Sequence, residues 1–219
     1  MFIVIIGASG IGETLVDIIR NEKRHSIVVI DKNLEKCEKI VKKHDIVVIN
    51  GDATKNDVLE ECEINRANVL VTTTNYDSTN LMVISLAKNM GIKNFVSIVN
   101  REESIPLYLE KNVRLIKDPN NLMAKQIFRA IEQPTIENFL NIGKSSEIIR
   151  VSLDPNSILC GKYINKLNLP RNTIILTIER EDKIYIASNE GKIFSGDVIT
   201  LLTENKQVEK IIKLFGSCL

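Results

Sequence analysis

The chain carries no excess of charge of either sign: 29 lysines and arginines stand against 28 acids, a net charge of +1. A sequence-independent grip on phosphate backbones needs a basic excess, so nucleic acid is not a partner that the composition implies. Long apolar runs are also missing. Nothing approaches the ~18–20 residues that span a bilayer. The opening Met1-Phe2-Ile3-Val4-Ile5-Ile6 has no basic region before it and Gly7 cuts it short, so it reads as a buried strand and not a signal peptide. Cysteine is sparse and scattered. Cys37, Cys62, Cys160 and Cys218 form no Cys-x-x-Cys and have no histidine at ligand spacing, which excludes the usual zinc signatures. Cys37 shares an apolar helical stripe with Leu34, Ile40 and Val41, so core packing is its expected role. Free thiols fit a reducing cytosol. Histidine is nearly absent: only His25 and His44 occur, and both are expected to be solvated.

What is present is ordinary globular material. Apolar residues make up 44% and charged residues 26%, too much core-forming material for a disordered chain. Its 219 residues suit one ordinary domain and a smaller one. Residues 2–116 alternate short apolar runs with amphipathic stretches. The expected strands are Phe2–Ile6, Ser26–Ile30, Ile46–Ile49, Val69–Thr73, Phe95–Val99 and Val113–Ile116. Each is rich in Val and Ile and nearly unbroken in apolarity, as central strands of a parallel sheet are when both faces are covered. Ile11, Leu15, Ile18 and Ile19 mark one face of the helix after the first strand, and Met82, Leu86 and Met90 the helix after the fourth. The alternation predicts a doubly wound α/β sheet in the order 3-2-1-4-5-6.

The pattern changes at Asp118-Pro119. A helix is expected from about Asn121 to Ile131, with Leu122, Ile127 and Ile131 on one side, broken at Gln133-Pro134. Gly143-Lys144-Ser145-Ser146 reads as a linker. Beyond it come strands at Ile148–Leu153, Thr173–Ile178, Lys183–Ala187 and Val198–Leu202, a short helix near Leu159–Leu167, and a closing helix at Val208–Phe215. The expected organisation is a Rossmann domain at 1–118, a connecting helix and linker at 119–144, and a smaller α+β domain at 145–219.

The first strand ends at Gly7-Ala8-Ser9-Gly10-Ile11-Gly12 and a helix follows at once. Such a turn lets the backbone approach a pyrophosphate, and the helix start offers unpaired N–H groups and a positive dipole end. The usual fingerprint is Gly-x-Gly-x-x-Gly. Here Ser9 stands at its second glycine, with a hydroxyl available to a phosphate, and Gly10 is an extra glycine. A side chain at Gly7 is expected to occupy the phosphate's approach. Asp31 ends the second strand 19 residues after Gly12, where an acid accepts hydrogen bonds from ribose hydroxyls and disfavours a 2′-phosphate. Gly51-Asp52-Ala53-Thr54 follows the third strand, and Thr72-Thr73-Thr74-Asn75 closes the fourth. In the expected strand order the crevice lies between strands one and four. The glycine turn then forms one wall and Thr74-Asn75 the other, with Asp31, Asp52 and Ala53 toward the ribose–adenine end.

Taken together, these residues resemble the RCK or KTN family, nucleotide-binding regulatory subunits of Trk- and Ktr-type potassium uptake. The resembling segments are Gly7–Gly12, Asp31, the run Gly51-Asp52-Ala53-Thr54-Lys55-Asn56-Asp57-Val58-Leu59, Val71–Asn80 and Val96–Asn100. In the second module they are Leu159–Lys162, Leu167–Pro170 and Lys192–Val198, similar to the family's companion domain. The family often has a basic or polar residue where Gly10 stands and an arginine where Ile98 stands, so NAD, NADH, ADP and ATP are left less distinguished here. The resemblance implies NAD(H), with ADP or ATP as the alternative. It also implies a homo-oligomer in the cytoplasm, peripheral to the membrane through a potassium-translocating subunit.

Glycine-rich Rossmann turns also serve hydride transfer, so an NAD-dependent oxidoreductase is the competing class. A short-chain dehydrogenase needs Tyr-x-x-x-Lys, and none of Tyr76, Tyr108, Tyr163 or Tyr185 has a lysine four residues later. With both histidines in the first 50 residues, a histidine acid–base partner is missing too. The expectation is binding without turnover. A third possibility is an assembly protein whose nucleotide is structural.

Overall fold

The computed structural model describes residues 1–22, 24–132, 136–143, 145–188 and 190–216. The chain divides into two units, Met1–Met123 and Ala124–Leu219.

In the first unit β1 (Phe2–Ile6), β2 (Ser26–Asp31), β3 (Val47–Asn50), β4 (Val69–Thr72), β5 (Phe95–Val99) and β6 (Arg114–Lys117) form one parallel sheet. Its order is β3-β2-β1-β4-β5-β6, as expected. Between the strands run α1 (Ile11–Asn21), α2 (Leu34–Lys43), α3 (Asn56–Glu61), α4 (Asp77–Asn89) and α5 (Ile105–Leu109). Successive side chains of a strand point to opposite faces. Ile3, Ile5, Ile27, Val29 and Val71 therefore pack with Val16 of α1 and Ile40 of α2. Val4, Ile6, Val28, Ile30 and Leu70 pack on the other face, with Leu59 of α3, Val83, Ile84 and Ala87 of α4, and Tyr108 of α5. Both faces of the central strands are covered, so β1, β2, β4 and β5 carry little polar alternation, whereas the edge strand β6 is largely exposed. The chain reverses direction of winding between β1 and β4, which opens a crevice at their carboxyl ends.

The helix faces differ in detail from the apolar stripes. α1 buries Gly12 and Val16, whereas Ile11 and Ile18 are exposed. α4 buries Val83, Ile84 and Ala87, and Met82 is exposed. The middle of α4, Leu81-Met82-Val83-Ile84, is an unbroken apolar run, so more than one i, i+4 stripe fits it, and the face with small Ala87 approaches the sheet. In α2, Cys37 and Ile40 are buried while Leu34 and Val41 are exposed. α6 (Pro119–Glu132) begins at Asp118, whose carboxylate accepts the Asn121 N–H at 3.0 Å. Its expected apolar side, Leu122, Ile127 and Ile131, is exposed, as are Met123 and Phe128.

The second unit is an antiparallel sheet of β7 (Ile136–Ile142), β8 (Ser146–Ser152), β9 (Ile174–Arg180), β10 (Lys183–Ile186) and β11 (Val198–Glu204), in the order β10-β9-β11-β8-β7. Ile149, Val151, Ile199 and Leu201 face a core closed by Ile211 and Phe215 of α7 (Val208–Phe215). Two sequence readings are corrected. β7 occupies part of the stretch read as linker, and Ile142 pairs with Ser146, the first residue of β8, so Gly143 and Ser145 fall between two strands of one hairpin. Leu159–Leu167 is not an α-helix: it holds turns and one 3₁₀ turn at Ile164–Lys166, because Gly161 at φ 77 takes the chain out of helical conformation. Asp197, 1% exposed, organises the neighbouring glycine turn. It accepts two hydrogen bonds from the Arg180 guanidinium, at 2.7 and 2.8 Å, and one from the Phe194 N–H at 2.7 Å. Lys144, Gln133, Pro134 and Cys218 lie outside the described residues.

Candidate functional site

A cavity opens at the carboxyl ends of β1, β2 and β4. On the β2–β3 side it is lined by Asp31, Lys32, Lys36, Gly51 and Ala53, at its floor by Gly7 and Ser9, and on the β4 side by the segment Thr73–Tyr76 with Thr79. Among the residues predicted for the site, Gly7, Ser9, Asp31, Ala53, Thr74 and Asn75 meet on this one surface. Ala8, Gly10, Ile11, Gly12 and Asp52 do not line it.

Backbone geometry explains the glycines. Gly7 has φ 109, and its N–H continues the β1–β2 ladder to Ile30 O at 2.9 Å. A Cβ on Gly7 would lie 2.8 Å from Thr73 Oγ1 and 3.3 Å from the Thr73 carbonyl carbon. The close passage of the β4 end therefore requires a glycine here whatever occupies the cavity. A Cβ on Gly12 would lie 1.9 Å from the carbonyl oxygen of Gly7, so only glycine lets α1 start against the end of β1. Gly10 caps α1 at φ 55 with open space around it. Its requirement is conformational. Among the described residues, nothing accepts a hydrogen bond from the N–H of Ser9, Gly10 or Ile11. The helix start thus presents three unused donors beside the cavity, the arrangement that anions occupy.

Asp31 is shared between turn and cavity. Its Oδ2 accepts the Ala8 N–H at 2.7 Å and its Oδ1 the Asn33 N–H at 2.8 Å. Each carboxylate oxygen keeps a second lone pair for a ligand hydroxyl. Ala8, 2% exposed, is thereby a positioning residue. Asp52 closes its own turn. Its Oδ1 accepts from the Thr54 hydroxyl (2.7 Å) and N–H (3.0 Å), and its Oδ2 faces Lys32 Nζ at 3.1 Å. The Thr54 hydroxyl above all, with the Thr54 N–H and Lys32, holds the Asp52 carboxyl at about 2 against the pull of burial.

The β4 wall is fastened by residues to which sequence reasoning gave no individual role. Asn80, fully buried, accepts from the Thr74 hydroxyl (2.7 Å) and N–H (3.3 Å) and donates back to the Thr74 carbonyl at 3.0 Å. Asn100 Nδ2 reaches the same carbonyl at 3.3 Å and Asp77 Oδ1 at 3.1 Å. Asp77 also accepts the Asn100 and Arg101 N–H groups, both at 2.9 Å, and faces the Tyr108 hydroxyl at 3.3 Å. Burial alone would raise the Asp77 carboxyl, but these donors outweigh it and hold it below its usual range. Burial pushes the Tyr108 phenol up to about 12. The available signal was the run Val71–Asn80 with Val96–Asn100, both noted only as resembling segments. Ile98, where the resemblance places an arginine, is 5% exposed and part of the sheet core.

The remaining titratable candidates lie elsewhere. His44 is not solvated as expected: its Nε2 sits 2.6 Å from Asp17 Oδ1, and its side chain is 13% exposed. Cys37 and Cys62 are buried, and burial raises both thiols, Cys62 to about 11. Among the described residues no group of three His, Cys, Asp or Glu is placed to hold a metal, and no helix is long and apolar enough to cross a membrane.

Fold and cavity define a class: a doubly wound Rossmann-type α/β domain, with the crevice at its switch point, followed by a small antiparallel-sheet domain. The TrkA-N domain family model matches residues 3–117 and the TrkA-C domain model residues 148–216. The chain belongs to the TrkA-N family, in the arrangement that adds a TrkA-C domain. A Trk system potassium uptake protein TrkA homolog of Pyrococcus horikoshii is 28% identical over 98% of this chain and 96% of its own length. The homolog of Archaeoglobus fulgidus is 30% identical over 99% of this chain, and TrkA of Halomonas elongata 26% over 97%. The chain spans about half the length of these two, 50% and 48%. Among solved structures, the GsuK RCK domain has a TM-score of 0.63 at 15% identity, covering 100% of this chain and 48% of its own. The GsuK channel bound to NAD has a TM-score of 0.64 at 16% identity, covering 100% and 40%. These two likenesses concern the fold.

Proposed function

We propose that the chain is a nucleotide-binding, cytoplasmic regulatory subunit of a potassium uptake system, and that it binds without catalysing a reaction. On this reading residues 1–118 hold the nucleotide, 119–144 connect, and 145–219 form the companion domain. The observation that carries it is that the α1 start, with its unused N–H donors, reaches the cavity at Ser9, and that Asp31 lines the same cavity. One anchors phosphates and the other ribose hydroxyls. Gly7, Ser9, Gly10 and Ile11 then surround the phosphates. Asp31 and Ala53 meet the ribose–adenine end, and Thr74 and Asn75 form the opposite wall, while Ala8, Gly12 and Asp52 keep this frame in place. NAD(H) is the preferred occupant, in keeping with the NAD-bound GsuK channel of similar fold, and ADP or ATP is the alternative.

The names of the relatives support potassium uptake as the process and a membrane-embedded Trk- or Ktr-type subunit as the partner. The exposed Leu122, Met123, Ile127, Phe128 and Ile131 of α6 favour a homo-oligomer. Regulation is by population shift: nucleotides that contact the two cavity walls differently bias two arrangements of the assembly, with a differential affinity of about 1–3 kcal/mol. The test is potassium flux in vesicles containing the membrane partner, with each nucleotide in turn. Flux is expected to depend on nucleotide identity in wild type, and in Asp31→Ala to show that dependence only at about ten- to a hundredfold higher nucleotide concentration. Equal flux under every nucleotide in wild type refutes regulation and favours a structural cofactor.

A further inference from the structure

Tyr76 belongs to the cavity wall, yet it is 72% exposed. Among the described residues no group hydrogen-bonds its hydroxyl and none stacks on its ring. Its backbone, by contrast, is held firmly. The Tyr76 N–H donates to Thr74 Oγ1 at 3.3 Å, the same hydroxyl lies 3.3 Å from the Tyr76 carbonyl, and Thr74 is itself locked by Asn80 and Asn100. A surface turn needs no such fastening. What it achieves is a fixed stretch of backbone on the cavity rim, carrying an aromatic ring without an internal partner.

The sheet order says which part of a ligand meets that ring. β1 is central, with β2 and β3 on one side and β4 on the other. Asp31, Lys32, Gly51 and Ala53 belong to the β2–β3 side, Ser9 to the turn over β1, and Tyr76 to the β4 side. A nucleotide with its ribose on Asp31 and its phosphates over the α1 start has used the first two regions. Only a ligand with a second nucleoside beyond the phosphates reaches the third.

We propose that Tyr76 is the stacking platform for the second base-like ring of a dinucleotide, so that it separates dinucleotides from ADP and ATP. This inference rests on the nucleotide-binding reading above. An exposed tyrosine offers a π-face and an amphipathic edge with few torsions to freeze, and stacking tolerates any planar ring.

The test is calorimetric titration of the full chain with NAD, NADH, ADP and ATP, in wild type, Tyr76→Ala and Tyr76→Phe. Tyr76→Ala is expected to weaken NAD and NADH by about five- to a hundredfold and to leave ADP and ATP within about twofold of wild type. Tyr76→Phe keeps the ring and the dinucleotide affinity. The ligand-free melting temperature is expected to be the same in all three, because the ring is free of internal contacts. Equal losses for ADP and NAD, unchanged NAD affinity in Tyr76→Ala, or a wild type that binds ADP but no dinucleotide each overturn the assignment of Tyr76 alone. A wild type that binds none of the four overturns the nucleotide reading, and this proposal with it.

Discussion

Replacing Asp31 by alanine has two separable consequences, because the carboxylate has two tasks. In the ligand-free chain it accepts the Ala8 N–H at 2.7 Å and the Asn33 N–H at 2.8 Å. Ala8 is 2% exposed, so its N–H has little access to water once the acceptor is gone. Leaving a buried donor unmatched costs about 1–3 kcal/mol, whereas the exposed Asn33 N–H is hydrated at little cost. For a unit of this size that corresponds to a fall of roughly 4–15 °C in the ligand-free melting temperature. The second consequence is on binding. Charge-assisted hydrogen bonds to ribose hydroxyls contribute about 1.5–3 kcal/mol, a loss of about ten- to a hundredfold in affinity. Asp31→Asn separates the two, since it keeps one acceptor and the side-chain volume but not the charge. Its melting temperature is expected to fall less than that of Asp31→Ala, while its affinity falls nearly as far. Thermal unfolding without ligand, followed by calorimetry well below the transition, reads both quantities. An Asp31→Ala chain that melts like wild type refutes the structural task, and one that binds NAD with unchanged affinity removes Asp31 from the site.

The glycine turn makes a graded prediction. Gly12→Ala puts a methyl 1.9 Å from the Gly7 carbonyl oxygen, so the first unit is expected to lose cooperative unfolding. Gly10→Ala meets open space and costs only its strained positive-φ backbone, at φ 55 and ψ -115, about 1–3 kcal/mol. Equal stabilities of the two variants in urea would refute this account. Acid sensitivity provides another check. The Asp52 carboxyl is depressed from 3.8 to about 2, so its contribution is fully present above pH 4 and is lost as pH falls from about 4 to 2. Asp52→Asn is expected to flatten that part of the stability–pH curve without altering nucleotide affinity at neutral pH, because Asp52 is not on the cavity wall; an unchanged acid limb excludes the Asp52–Thr54–Lys32 cluster as its source.

The parallel sheet was legible because its strands, apart from β6 (Arg114-Leu115-Ile116-Lys117), are short Ile- and Val-rich runs between turn residues, and because burial of the central strands on both faces removes any ambiguity of period. The second unit was less so. β7 mixes Glu137, Asn138 and Asn141 with apolar residues and follows Gln133-Pro134, so polarity read as linker. Leu159, Ile164 and Leu167 carry helix-like spacing, but one glycine in a left-handed conformation at position 161 overrides it. In the cavity, the glycine spacing signalled a turn with free N–H groups, since that property is local. The second task of Asp31 was hidden, because the Ala8–Asp31 bond joins residues 23 apart through the β1–β2 register. The Asn80–Thr74–Asn100–Asp77 fastening likewise depends on how β4 and β5 align, which no single segment encodes.

These two hidden sets of bonds belong to opposite walls of one crevice. The β2 side is tied to the glycine turn by Asp31, and the β4 side is tied to α4 and the end of β5 by Asn80, Asp77 and Asn100. Among the described residues the direct link between the glycine turn and the β4 wall is Thr73, whose N–H and hydroxyl both reach the Ile6 carbonyl, at 2.9 and 3.0 Å. On the proposed reading, a ligand that touches only the Asp31 side binds every arrangement of the β4 wall equally and shifts nothing, however tightly it is held. A ligand that spans both walls senses their separation. The capacity to regulate then rests on the reach of the ligand across β1 and β4, and the affinity at Asp31 sets only the concentration at which regulation begins.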